Sequence, residues 1–171
     1  EKCLKSLLSQ KYTKNKYEVI VVDNGSTDKT LKILQKFSKK IRILREPIKG
    51  SYRARNLGIK YAKGKFILFT DSDCIAKKNW IEKIIIHFNN PKTKIVGGPI
   101  KAVNENKFPS KYFSMLMHNQ EYFYKSKKFA TSNMAIRKKE LNKVSLFDEE
   151  LESGADFYLC SKIVKKSFDI E

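Results

Sequence analysis

The sequence predicts an α/β fold: a mostly parallel sheet flanked by helices, with mixed strands in the second half. Three observations carry that prediction. Short apolar runs alternate with segments of helical period through the first half of the chain, the pattern of strand–helix–strand units. Phe66-Ile67-Leu68-Phe69-Thr70 is continuously apolar up to its last residue, as a strand covered on both faces is. That run and the earlier Val19-Ile20-Val21-Val22 each lead into carboxylates, Asp71-Ser72-Asp73 and Asp23. Open α/β sheets bind their ligands at the carboxyl ends of their strands.

The elements follow from local pattern. Residues 1 to 10 read as an amphipathic helix with Leu4, Leu7 and Leu8 on one face, and Val19 to Asp23 as the first strand. A helix is expected from about Asp28 to Lys39, with Ser26 or Thr27 as its N-cap and Asp28 favourable in its first turn. A short strand at Ile41 to Leu44 and a loop through Pro47 and Gly50 come next. From Tyr52, the spacing of Ala54, Leu57, Ile59 and Tyr61 predicts a helix ending near Gly64, a residue suited to a left-handed cap. After the strand Phe66 to Thr70, a helix over Lys77 to Phe88 presents Trp80, Ile81, Ile84, Ile85 and Phe88, and Pro91 stops it. If the two acid-ended strands are parallel, Asp23, Asp71 and Asp73 fall on the same edge of one sheet.

The second half changes character. Lys94 to Val103 reads as a strand interrupted at Gly97-Gly98-Pro99, Ser110 to Tyr124 as an aromatic-rich helix, and Phe129 to Ile136 as a strand. Asp148 to Asp156 concentrates five carboxylates in nine residues, just before an apolar helix with Leu159, Ile163 and Val164. Acids placed there stabilise a helix N-terminus.

Composition bounds the rest. A chain of 171 residues that is 41% apolar suits one domain, 1–171, with a single core. No apolar run approaches the roughly 20 residues that cross a bilayer, and no signal-peptide pattern is present. Cys3, Cys74 and Cys160 have no metal-ligand spacing and read as reduced, packed thiols, which suits a cytoplasmic chain. His87 and His118 are isolated and read as ordinary surface or structural residues. The net charge of +18 is spread along the chain rather than blocked, as a solvated surface would be. Its field would also draw phosphorylated ligands, anionic headgroups or nucleic acid. No nucleic-acid recognition motif is visible, so that partner is not expected.

The Asp71-Ser72-Asp73 triplet admits two readings on its own. Asp and Ser side chains close turns on their own backbone. Paired carboxylates at a strand end also suit a hard divalent ion, which takes oxygen ligands.

Five stretches, in this order, resemble the inverting glycosyltransferases of family 2, which have the GT-A fold, a Rossmann-like sheet flanked by helices. They are Glu18 to Thr30 (EVIVVDNGSTDKT), Gly50 to Gly64 (GSYRARNLGIKYAKG), Lys65 to Cys74 (KFILFTDSDC), Thr131 to Glu140 (TSNMAIRKKE) and Phe147 to Cys160 (FDEELESGADFYLC). The resemblance implies a nucleotide-sugar half over about 1–103 and an acceptor half over about 104–171. It implies a UDP-linked donor, Mn2+ or Mg2+ as cofactor, a glycan or lipid-linked acceptor, and peripheral contact with an anionic membrane. Asp23 matches the carboxylate that contacts the nucleotide base. Asp71 and Asp73 match the Asp-x-Asp motif, with Asp71 near the ribose and Asp73 on the metal. Arg53, Arg55 and Asn56 match the segment lining the nucleotide side of the cleft, Arg55 best. Asp156 matches the general base.

The chain departs from the family pattern in places. Ala155 stands where the family pairs a Glu with the base, and Glu152 is the available substitute. The family's first strand with its Tyr-Asn segment is not found before the first helix, its final segment is not found after Glu171, and no Gln-x-x-Arg-Trp motif occurs. A fragment of a longer protein is therefore expected. Two other functions stay open: a nucleotide-sugar-binding remnant without turnover, and a sugar-phosphate nucleotidyltransferase, for which no Gly-rich phosphate loop appears.

Overall fold

The computed structural model describes residues 1–103 and 128–165. The helix expected over Ser110 to Tyr124, His118 and the chain's last residues lie outside the described residues. The described elements, in order, are α1 (Lys2–Leu8), a 3-10 turn (Lys14–Lys16), β1 (Ile20–Asp23), α2 (Thr30–Gln35), β2 (Arg42–Arg45), α3 (Ser51–Tyr61) and β3 (Phe66–Phe69). They continue with α4 (Trp80–Ile85), a 3-10 turn (Ile86–Asn89), β4 (Ile95–Gly97), a 3-10 turn (Thr131–Asn133), β5 (Met134–Arg137), α5 (Lys138–Leu141) and α6 (Ala155–Lys165).

The α/β class holds, but the strands form two hydrogen-bonded groups rather than one sheet. β1 and β2 pair in parallel with Asp23 opposite Arg45, as a strand–helix–strand crossover requires. β3, β5 and β4 form a second sheet in which β5 runs antiparallel between the other two. Among the described residues no strand joins β1 to β3. The expectation that Asp23 and Asp71 share one sheet edge is corrected accordingly. Helix α3 connects the two sheets instead. Its Gly58 lies against Val22 of β1, while Tyr52 and Ile59 enter the core with Ile67 and Phe69 of β3.

Several boundaries differ for identifiable reasons. Neither Ser26 nor Thr27 caps α2. The Ser26 N–H is held by the Asp23 carboxylate in a tight turn where Gly25 takes φ 73°. The helix starts later, and Asp28 accepts the Thr30 N–H at 2.9 Å. Gly64 is not a left-handed cap, because Ala62 leaves α3 in extended conformation and Glu18 accepts the Lys63 N–H. β5 begins at Met134 rather than Phe129 because residues 131–133 coil into a turn. β4 stops at Gly97, where an added Cβ would stand 2.0 Å from the Phe129 ring. The turn ending at Asn89 precedes Pro91, as expected of a helix stop.

The main core lies where α3, β3, β5 and α6 meet. Met134, Ile136, Leu159 and Cys160 are fully buried there. Smaller clusters pack α1 on α2 and β2 through Leu4, Leu34 and Ile41, and α4 on the second sheet through Ile84, Phe88 and Ala135. α1 and the residues just after it also have a polar task that the leucine stripe does not announce. Buried Gln10 accepts the Ile81 N–H and donates to Lys77, and the Ser6 hydroxyl accepts the Ala76 N–H. These bonds moor the segment that follows Asp73.

All three cysteines are free thiols. Burial pushes the Cys160 thiol from its ordinary 9.0 up to about 11. Unfolding exposes it, so above pH 9 the unfolded chain binds fewer protons and gains stability relative to the folded one. The contribution is whole below the unfolded value and is lost as pH rises through the folded one. Denaturant titrations from pH 8 to 11 are expected to show a loss on the order of 2 to 3 kcal/mol that Cys160→Ala lacks.

Candidate active site

The two acidic strand ends differ in how the fold uses them. Asp23 closes β1 and is buried, at 4% exposure. Its carboxylate accepts the Ser26 N–H at 3.3 Å and faces the Arg45 guanidinium at 3.8 Å. The neighbouring Asn24 binds the returning chain, donating to the carbonyls of Glu46 and Ile48 and accepting the Gly50 N–H. The turn after β1 is thereby fixed against the entrance to α3, where Gly50 takes φ 150°.

Asp71 and Asp73 follow β3. One Asp71 oxygen is 2.8 Å from the Arg55 guanidinium on α3, a charge-assisted hydrogen bond of good length. Asp73 is exposed and makes no hydrogen bond or ion pair with the described residues. Cys3 and Cys74 converge on the Asp71 carbonyl, through a thiol at 3.5 Å and an N–H at 3.1 Å. Burial first pushes both thiols up, joined at Cys3 by Cys74 and at both by the negative charge of Asp73 and Asp71, so they pack as neutral groups beside the acidic loop.

Arg53 points elsewhere. Its guanidinium bridges Glu149 at 2.9 Å and Glu150 at 3.2 Å. The Asn56 amide is also engaged: its oxygen accepts the Phe147 N–H, and its nitrogen donates to the Phe147 carbonyl and to Glu149. Both residues therefore clasp the 147–150 segment to α3. Two of the five carboxylates concentrated there answer α3 rather than the terminus of α6.

Asp156 lies in the first turn of α6 and is half-buried, one turn before fully buried Leu159 and Cys160. Its Oδ2 accepts the Thr131 N–H at 3.3 Å and its Oδ1 accepts the Phe157 N–H at 3.0 Å. Each carboxylate oxygen has a second acceptor position, so the group can still receive a proton. Ala155 is fully buried, and Glu152 is exposed on the segment before α6.

Among the described residues no group of three or more His, Cys, Asp and Glu side chains could hold a metal ion. A divalent ion would take one or two carboxylates here and complete its shell from phosphate and water, as Mg2+ commonly does. Asp73, an exposed carboxylate without a hydrogen-bond or ion-pair partner among the described residues, fits that role. Among the described residues no helix is long and apolar enough to cross a membrane.

Sequence reasoning missed Tyr52, Asn24 and the Glu149–Glu150 pair. Tyr52 and Asn56 stand four apart on α3, a spacing that places both on one helix face. That spacing was the available signal.

The sequence model of glycosyl transferase family 2 matches residues 1–148. Glycosyltransferase AglE of Haloferax volcanii is 31% identical over 177 residues, which cover 99% of this chain and 58% of AglE. A Methanococcus voltae enzyme, dolichyl N-acetyl-alpha-D-glucosaminyl phosphate 3-beta-D-2,3-diacetamido-2,3-dideoxy-beta-D-glucuronosyltransferase, is 26% identical over 187 residues, again 99% of this chain and 58% of the relative. Among solved structures, S. aureus TarS 1–349 in complex with UDP superposes with a TM-score of 0.75 at 28% identity, over 95% of this chain and 50% of TarS 1–349. The chain thus spans between half and three fifths of the length of these proteins.

Proposed function

The chain belongs to glycosyl transferase family 2, and from that premise we propose that it moves a sugar from a UDP-linked donor to an acceptor hydroxyl with inversion. The observation that carries this reading is the Asp71–Asp73 pair after β3, one carboxylate held by Arg55 and the other exposed. The UDP complex of TarS, 28% identical, supports the choice of nucleotide. Asp73 would hold the divalent ion, Mn2+ or Mg2+, which when bound supplies positive charge to the departing diphosphate. Asp71 and Asp23 would contact the nucleoside. Arg55 would exchange its carboxylate for a pair of phosphate oxygens, the other oxyanion edge that its planar fork of donors suits. Arg53 and Asn56, on the nucleotide-side helix, would act on the donor cleft by holding the 147–150 segment of the acceptor half against α3.

The acceptor oxygen attacks the anomeric carbon from the face opposite the diphosphate. A carbon–oxygen bond forms as the bond to the diphosphate breaks, and the nucleoside diphosphate leaves with the electron pair. Asp156 takes the proton from the acceptor hydroxyl. The net charge of +18 suits a glycan or lipid-linked acceptor at an anionic membrane surface.

The test is calorimetric titration with UDP, with and without Mn2+, on the wild type and Asp73→Asn. The wild type is expected to bind more tightly with Mn2+ by a factor of about 10 or more, and the variant to lose that dependence. Metal-dependent binding that survives in Asp73→Asn would remove the role given to Asp73, and absence of UDP binding by the folded wild type would overturn the donor site.

A further inference from the structure

Helix α3 touches both halves of the proposed chemistry. Between Arg55, which holds Asp71, and the start of α6 stands Tyr52, buried at 7% exposure. Its ring stacks on Phe147 with centroids 5.5 Å apart, and Phe147 meets Phe69, the last residue of β3, edge-on at 5.6 Å. The Arg55 guanidinium lies 5.4 Å from the Tyr52 ring centre. The Tyr52 hydroxyl oxygen accepts the N–H of Ala155 at 3.2 Å.

That last bond is informative because of where Ala155 sits. It is the first residue of α6 and fully buried. The opening N–H groups of a helix have no intrahelical acceptor, and a buried one must find a partner elsewhere. Here the partner comes from another element, 103 residues away in sequence. The next residue is Asp156.

We infer that Tyr52 is a positioning residue, whose hydroxyl fixes the N-terminus of α6, and with it the Asp156 carboxylate, relative to Arg55 on α3 and the Asp71 loop that Arg55 holds. This rests on the reading of Asp156 as the base and of Asp71 as a donor contact. The ring of Tyr52 serves the donor side and its oxygen serves the acceptor side, so removing the oxygen alone separates the two. Displacement of a reacting group by about 1 Å can lower turnover by about 10²-fold without touching substrate affinity.

The experiment is Tyr52→Phe, which keeps the ring, the stacking on Phe147 and the face beneath Arg55. UDP affinity and donor KM are expected to stay within about twofold, while kcat for transfer falls about 10-fold or more. Amide exchange at Ala155 and Asp156 is expected to accelerate about 10-fold, with β1 and β2 amides unchanged. Unchanged exchange at the start of α6 overturns the inference, and so does a loss of kcat matched by an equal loss of UDP affinity. A wild type that binds UDP yet transfers no sugar would defeat the reading of function alone. The exchange measurement would still decide whether Tyr52 holds α6.

Discussion

Asp156→Asn is expected to lower kcat for sugar transfer by about 10² to 10⁴ while UDP binding stays within about twofold. The amide has nearly the shape of the carboxylate but cannot take the acceptor's proton. Its cost to the fold should be small and identifiable. Both carboxylate oxygens accept backbone N–H groups, from Thr131 and Phe157, and the amide nitrogen can satisfy neither. One of those bonds is lost, at about 1 kcal/mol. Initial-rate kinetics with varied donor, paired with a melting curve, separate the two effects. A kcat within a few-fold of wild type would move the base away from Asp156, and Glu152→Gln would then be the variant to examine. Loss of UDP binding together with kcat would show instead that the substitution had disturbed α3 and the donor side through the shared core.

The strand ends were legible in the sequence because short apolar runs that stop at acids have few alternative explanations. Asp71 and Asp73 follow β3 as read, and Asp23 closes β1. The partners of those acids were not legible. Nothing in the order of residues says that Arg55 reaches Asp71 while Arg53, two positions earlier, turns to Glu149 and Glu150. Residues two apart on a helix point in different directions, and which direction meets which loop depends on tertiary packing. The same limit explains Asn56, a candidate donor contact by motif whose amide is bound to the backbone of Phe147. Helix ends failed where a side chain from far away took the local donor, as Glu18 does at Lys63. Ala155 was read as a missing acidic neighbour of the base. In the structure it is a fully buried core residue bonded to Tyr52. What stands at that position in this chain is a docking contact for the helix that carries Asp156.

Leu159→Ala tests that docking directly and is expected to cost about 2 to 5 kcal/mol. Leu159 is fully buried among Tyr52, Met134, Ile136, Phe147 and Ile163. With Ala155, Cys160 and Ile163 it forms the face through which α6 enters the core shared with α3 and the second sheet. Domains of this kind have about 5 to 15 kcal/mol in total, so the loss would be visible as a lower urea midpoint with an unchanged slope. Ile86→Ala removes a comparable side chain at 61% exposure and should shift stability by less than about 0.5 kcal/mol. The contrast isolates burial from hydrophobicity. It also bears on the site, because Asp156 lies one turn before Leu159 and cannot hold its place if the helix rests on a cavity. Adding UDP with Mn2+ at about 100 times its dissociation constant should return about 2.7 kcal/mol to wild type and variant alike if α6 and the donor loop unfold as one cooperative unit. If ligand raises the midpoint of the β1–α3 region while α6 melts separately in the variant, the core joining Tyr52 to Leu159 does not couple the two halves of the site.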